Sequence, residues 1–446
     1  MSKPSEEANL ESQGYAGEAL SILNRVQAKI GSRLRIKTSD GLEASGLLIP
    51  RYEAGGDSRY IVLKLKSGYN IGINPKTISE LVLIGPPEMA KQAATREREP
   101  SESSKKVLIL STGGTIASKV DYRTGAVTPL LSASELYGLI PELGQIASIT
   151  PKVVFSLFSE NLEQEHWQNL AEEIKSNAAD FDGVVVMIGT DTMSYVSAAL
   201  SFALIGLGIP VVCVGSQRSS DRPSSDSILN LRGAVYFASE VRTPGVFVAM
   251  HQNESDDAIA VHSGVRVRKN HTSKRDAFQS IDVPPFAIVR GNDIIKQSSA
   301  QRPTADKGNS LKTKFDSRVA LLKFHPGIDP SIFDFLKSKQ MRGVIIEGTG
   351  LGHVSSKAVS SIRDAVKGGI FVGITSQCIW GHVDLNVYST GVDLIEAGAT
   401  SLGNMLSETA LAKLSWALGN FPKEDVQSLM VQNLAGELTE RIPIKN

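Results

Sequence analysis

Val107-Leu-Ile-Leu-Ser-Thr-Gly-Gly-Thr-Ile-Ala-Ser118 sets the fold of this chain. Residues 107–110 are a short continuous apolar run, the pattern of a strand buried on both faces. The run stops at Ser111-Thr112-Gly113-Gly114-Thr115. Two glycines let the backbone turn sharply and let a ligand come close. Thr115 then offers a hydroxyl just past the carboxyl end of a strand, where open α/β sheets hold their ligands. Taken alone, an ordinary glycine-rich turn reads the same way. A second stretch repeats the design. Gly183-Val-Val-Val-Met-Ile188 is another buried-strand run, and it ends in Gly189-Thr190-Asp191-Thr192.

Strands and helices alternate around these two runs. Strands are expected over 153–158, 210–214 and 246–250, with helices over 163–177, 194–207 and 225–240. Ser132-Ala-Ser-Glu135 has the form of a capping box opening a short helix. Such alternation predicts a largely parallel sheet covered by helices. Residues 291–317 are polar and aperiodic, a connection between two lobes. The second lobe repeats the pattern, with strands over 319–324, 344–346 and 370–375. Its helices are expected over 330–339, after the 344–346 strand to about 367, and over 407–418, with Ser407 as the candidate cap. Gly348-Thr-Gly-Leu-Gly352 lacks the spacing of a dinucleotide loop and reads as a strand-end turn.

Upstream the pattern differs. Apolar residues at helical spacing over 18–29 give way to alternation in Arg33-Leu-Arg-Ile-Lys37. Short strands follow over 42–52, 60–65, 70–74 and 81–84, separated by tight turns. Several short strands of this kind predict a small barrel-like all-β domain. Residues 86–105 are charged and rich in serine and proline, the composition of an exposed linker. The expected organisation is therefore a β domain over 1–85, a linker over 86–105, and two lobes over 106–300 and 301–446.

Composition narrows the function. The chain has 446 residues, enough for two or three domains, and 47 Lys+Arg balance 47 Asp+Glu. No basic excess marks a nucleic-acid surface. No apolar run reaches the ~18 residues of a membrane span, and the polar N-terminus has no signal-peptide form. Cys213 and Cys378 lie in apolar strand-like runs and read as buried free thiols, which suits a reducing cytoplasm. The seven histidines form no ligand cluster, so no metal is expected.

Thr112-Gly-Gly-Thr-Ile116 and Gly189-Thr-Asp-Thr192, in this order and each behind a strand, resemble the two signatures of the L-asparaginase/glutaminase family. The resemblance covers residues from about 106 to the C-terminus. It implies a two-lobed asparaginase-like fold: a parallel-sheet lobe, then a smaller α/β lobe. It also implies a threonine nucleophile assisted by a lysine, with Thr115, Thr190, Asp191 and Lys269 of Val267-Arg-Lys-Asn270 as the catalytic set. A threonine hydroxyl is a weak nucleophile and needs such help. A lysine in a closed site loses solvation, which makes its neutral form more accessible. Tyr122 matches the lid tyrosine of the family. Ser159 and Glu160 match the pocket for the substrate carboxylate in part, with Ser-Glu in place of the commoner Ser-Gln.

A plain asparaginase has no need of residues 1–85. Barrel, linker and catalytic region together resemble the D subunits of archaeal-type glutamyl-tRNA(Gln) amidotransferases. That resemblance implies hydrolysis of glutamine, or asparagine, to supply ammonia to a partner, the E subunit. The partner would use ATP and Mg²⁺ to convert Glu-tRNA(Gln) to Gln-tRNA(Gln). It further implies a homodimer within a heterotetramer of two D and two E chains, with tRNA(Gln) held mainly by the partner, and no cofactor in this chain. The alternative is a free-standing cytosolic L-asparaginase with an accessory domain. Which threonine attacks first, and whether glutamine or asparagine is preferred, both stay open at this point.

Overall fold

The computed structural model describes residues 10–11, 14–49, 60–65, 70–85, 105–113, 118–120, 127–129, 136–137, 140–218, 225–297 and 311–439. Thr115, Tyr122 and the capping box at 132–135 lie outside the described residues. The chain divides into two compact units. One comprises residues 1–98, 117–130 and 218–225, and the other comprises the remainder.

In the first unit, helix α1 (Gly17–Arg25) precedes five strands: β1 (Arg33–Thr38), β2 (Glu43–Leu48), β3 (Ile61–Leu65), β4 (Asn70–Ile73) and β5 (Ile78–Gly85). All pair antiparallel, in the order β4-β3-β2-β1-β5. Alternation fixes the register. Leu34 and Ile36 of β1, Ala44 and Leu48 of β2, and Ile61 and Leu63 of β3 all point into one core. Ala19 and Leu23 of α1 close that core. Tyr15 plugs it as well: its hydroxyl donates to Ile49 O (2.8 Å) and accepts from Val62 N (3.2 Å). Helical spacing continues to residue 29 in the sequence, but α1 stops at Arg25. Gln27 turns the chain away with φ +53°. A short antiparallel pair, β7 (Ser118–Val120) with β8 (Val127–Pro129), follows strand β6 (Lys106–Ser111) in sequence.

The second unit is built on an eight-stranded sheet. Strands β6, β9 (Ser148–Val153), β10 (Gly183–Met187), β11 (Pro210–Val214) and β12 (Gly245–His251) run parallel. Next come β13 (Ile259–Ser263), a separate hairpin of β14 (Val267–Lys269) and β15 (Phe278–Ser280), β16 (Ala287–Arg290) and β17 (Asp293–Lys296). The sheet order is β17-β16-β13-β12-β11-β10-β6-β9. β13, β16 and β17 extend it antiparallel, which the alternating pattern upstream does not reveal. Every residue of β10 and β11 is buried, because helices cover both faces. After the single turn α2 (Leu143–Ile146) come α3 (Gln164–Asn177), α4 (Met193–Ala203) and α5 (Ser227–Glu240). Trp167, Leu170, Ala171 and Ile174 are the buried face of α3, as its spacing predicts.

The strand expected over 153–158 lies at Ser148–Val153 instead. Pro151 discourages a strand assignment there. Yet β9 is the sheet edge, and an edge tolerates a residue with no N–H to give.

The second lobe adds a four-stranded parallel sheet in chain order: β18 (Val319–Lys323), β19 (Gly343–Gly348), β20 (Phe371–Ser376) and β21 (Thr400–Ser401). Its helices are α6 (Ile332–Ser338), α7 (Ser356–Lys367), α8 (Ser389–Glu396), α9 (Ser407–Asn420) and α10 (Lys423–Val431). Ser407 is not a cap. Leu406 holds that position, and the Ser407 hydroxyl donates to Glu347 Oε1. Helix α9 is buried along most of its length and shares a core with α4, Trp416 lying 5.7 Å from Phe202. The two lobes of this unit are thus one hydrophobic body. Cys213 is buried, with its thiol pushed up to about 12 by desolvation, whereas Cys378 is exposed just past β20. The apolar run before Cys378 ends too soon to bury it.

Candidate functional site

Parallel pairing brings the carboxyl ends of β9, β6, β10 and β11 to one edge of the sheet. In open α/β sheets, sites are built at such an edge. The backbone leaving β6 is locked to β10, since the amide and the hydroxyl of Thr112 both donate to Met187 O (3.1 and 3.0 Å). Gly113 follows with φ +109°. A Cβ there would stand 2.3 Å from Leu157 O, so only glycine permits this crossing. The two-glycine turn read from the sequence therefore has a steric cause at its first glycine.

Past β10, Gly189 lies flat against Ser159, and a Cβ on it would fall 2.8 Å from Ser159 Cβ. The Thr192 hydroxyl donates to Ser159 O (2.7 Å). Ser159 is buried in a single 3₁₀ turn, while Glu160 beside it is exposed. Between these anchors stand Thr190 and Asp191. Lys269, at the end of β14, reaches both: Nζ donates to Thr190 Oγ1 (2.8 Å) and to Asp191 Oδ1 (2.7 Å). The lysine side chain is only 12% exposed, and Asp191 is 70% exposed. One carboxylate thus faces the lysine and solvent together. The structure brings together Thr190, Asp191 and Lys269, with Ser159 packed against the glycine that precedes Thr190.

Sequence reading misses the supports of this site. Asn230, fully buried on α5, donates to Gly215 O and to Asp226 Oδ2, each at 2.9 Å. Asp226 Oδ2 also accepts from Gln217 N (2.9 Å), and Asn230 Oδ1 faces His251 Nδ1 at 2.6 Å. The network fixes the turn after β11, whose Gly215 packs on the Thr190 methyl. The available signal is Asp226 and Asn230, a carboxylate and an amide four residues apart at the N-cap and in the first turn of α5. On the far side of Lys269, Arg268 pairs with Glu408 at 3.3 Å. Burial raises the Glu408 carboxyl above its usual range, and the Arg268 charge opposes that. Tyr195, half-buried beside them at the start of α4, has its hydroxyl pushed up to about 12 by desolvation and then by Glu408.

Comparison with known proteins agrees with this architecture. Residues 106–302 match the family model described as "Asparaginase, N-terminal", and residues 318–430 match "Glutaminase/Asparaginase C-terminal domain". Residues 28–84 match "GatD N-terminal domain". The thermostable L-asparaginase from Thermococcus kodakarensis is similar over 75% of this chain and 100% of its own, with TM-score 0.68 and 32% identity. Two relatives are similar over nearly the whole chain. The D subunit of glutamyl-tRNA(Gln) amidotransferase from Thermofilum pendens is 46% identical over 443 residues, 96% of this chain and 97% of that one. Its counterpart from Sulfurisphaera tokodaii is 44% identical over 440 residues, 96% of each. With an asparaginase-type body and a matching N-terminal module aligned from end to end, this chain belongs to the family of glutamyl-tRNA(Gln) amidotransferase D subunits.

Proposed function

We propose that this chain hydrolyses the side-chain amide of glutamine, or of asparagine, and passes the ammonia to a partner that amidates Glu-tRNA(Gln). The observation that carries the chemistry is the placement of Lys269 Nζ within hydrogen-bond reach of both the Thr190 hydroxyl and the Asp191 carboxylate. A base in contact with a hydroxyl and held by a third group is the arrangement of an activated nucleophile. In this reading Thr115 attacks the carboxamide carbon. Its proton passes to the Thr190–Lys269 pair, which returns it to the leaving nitrogen as that departs as ammonia. Water, activated by the same pair, then cleaves the acyl–threonine ester and frees glutamate. Asp191 orients Lys269 with one oxygen, and its exposure leaves it available to a substrate α-ammonium. Ser159, Glu160 and Tyr122 serve substrate binding. The hydrolysis uses no metal.

The N-terminal module favours the amidotransferase over a free-standing asparaginase. The Thermococcus asparaginase is similar over 75% of this chain, and the D-subunit relative from Thermofilum pendens over 96% of it. The partner is the E subunit, which holds ATP, Mg²⁺ and most of tRNA(Gln). Two D and two E chains assemble in the cytoplasm around a homodimer of this chain. Ammonia release from glutamine and from asparagine, measured with and without the E subunit and Glu-tRNA(Gln), tests the proposal. Adding both should raise glutamine turnover and yield Gln-tRNA. Asparagine as the better substrate, with no response to either addition, would support the free-standing enzyme.

A further inference from the structure

Lys269 ends a strand of three residues that, among the described residues, pairs with β15 alone, and this hairpin belongs to neither large sheet. An isolated two-stranded ribbon is marginal by itself. The position of the lysine is therefore set by what grips the hairpin from behind. Three ties come from one place, residues 404–409 at the start of α9. The Thr409 hydroxyl donates to Val265 O (2.9 Å). Arg266, wholly buried, donates to Asn404 O (2.8 Å), Glu437 O (3.0 Å) and Asp282 Oδ2 (3.1 Å). Asn404 Nδ2 shares that same carboxylate oxygen at 3.0 Å. Arg268 pairs with Glu408, itself 8% exposed, at 3.3 Å. Successive residues of a strand point to opposite sides. Because Arg268 reaches one way to α9, Lys269 reaches the other way to Thr190.

We infer that Arg268, backed by Arg266, is a positioning residue through which the start of α9 sets the height of Lys269 Nζ against the Thr190 hydroxyl. The inference rests on Lys269 being the base proposed above. A 2.8 Å contact between base and hydroxyl has little slack. Displacement of ~1 Å at a reacting group can cost on the order of 100-fold in rate. Removing the Arg268 guanidinium leaves Glu408 buried without its cation and frees the hairpin on the side opposite the lysine. The second lobe then takes part in catalysis through the base, without touching substrate. Arg266 is the less useful probe, because its loss strands Asp282 in the interior.

The test follows ammonia release by the full-length chain. Arg268→Gln should lower kcat about tenfold and leave KM within about twofold, since geometry and not binding is lost. Arg268→Lys should recover most of that kcat. Glu408→Gln, with Arg268 intact, should reproduce the kcat loss and serves if the arginine variant fails to fold. In a Lys269→Ala background, Arg268→Gln should cost less than about twofold further, because it acts through a group already gone. A full additional loss in that background, or a loss confined to KM, would overturn the positioning role. Normal turnover by Lys269→Ala alone would instead remove the base assignment, and the positioning role with it, so the two failures read differently.

Discussion

At the scale of single residues, the site combines groups that the sequence displays with groups it hides. Thr190 and Asp191 are legible because they follow a buried strand directly. Lys269 is not. Val267-Arg-Lys-Asn270 carries no pattern, and only the family resemblance singles it out, since the contact spans 79 residues of chain. Buried histidines are hidden in the same way. His262 on β13 holds Ser280 of the β15 hairpin strand (Nδ1 to Oγ, 2.8 Å), and its Nε2 has no partner among the described residues. Burial lowers its pKa to about 4. It is neutral in the folded state near pH 7, whereas the unfolded chain takes up a proton near about 6.5. Its contribution is complete above that value and is lost as pH falls toward 4, because the unfolded state then binds the extra proton. Thermal melts at pH 7 and pH 4.5 should therefore show a smaller drop in Tm for His262→Gln than for the parent chain. Equal drops would mean that His262 does not titrate in this way.

At the scale of elements, apolar continuity makes β6, β10 and β11 readable, and helical spacing does the same for α3. What sequence pattern conveys poorly is an edge. Pro151 conceals β9, and the short, non-alternating runs of β13, β16 and β17 become the antiparallel side of the sheet, with β17 at its edge, only through long-range pairing. The glycine of Gly189-Thr190 is readable as a turn, but its reason is a neighbour about 30 residues upstream. A Cβ there meets Ser159 Cβ at 2.8 Å and Oγ at 2.9 Å, so the 3₁₀ turn or the Thr190 backbone must yield. Gly189→Ala should cost about 1–3 kcal/mol in stability, as overpacking does. It should also lower kcat/KM for glutamine by about tenfold or more, since a shift at Gly189 moves Thr190 off Lys269. Denaturant unfolding and steady-state kinetics on the same preparation check both. Unchanged kinetics would show that the shift is absorbed by Ser159 alone.

At the scale of the whole molecule, composition and the change in period near residue 85 make two kinds of domain legible. The task of the first is not written in its residues, because a small five-stranded sheet with a helix over its core is a generic scaffold. All the proposed catalytic groups lie beyond it, so removing residues 1–95 should leave glutamine hydrolysis in place. Gln-tRNA formed per glutamine consumed by the reconstituted complex should fall. A truncated complex that matches the intact one on this ratio would assign the module some other task. The central claim, that the Thr190–Lys269 site feeds ammonia to an amidating partner, is tested most directly by changing the nitrogen donor. The intact complex and its Thr190→Ala variant are each given Glu-tRNA(Gln), ATP and Mg²⁺, with either glutamine or ammonium chloride. The account predicts that the variant loses glutamine-dependent amidation by about 100-fold or more, the scale of lost general-base help, and keeps the ammonium-dependent rate. Equal loss with both donors, or no loss with glutamine, would contradict it.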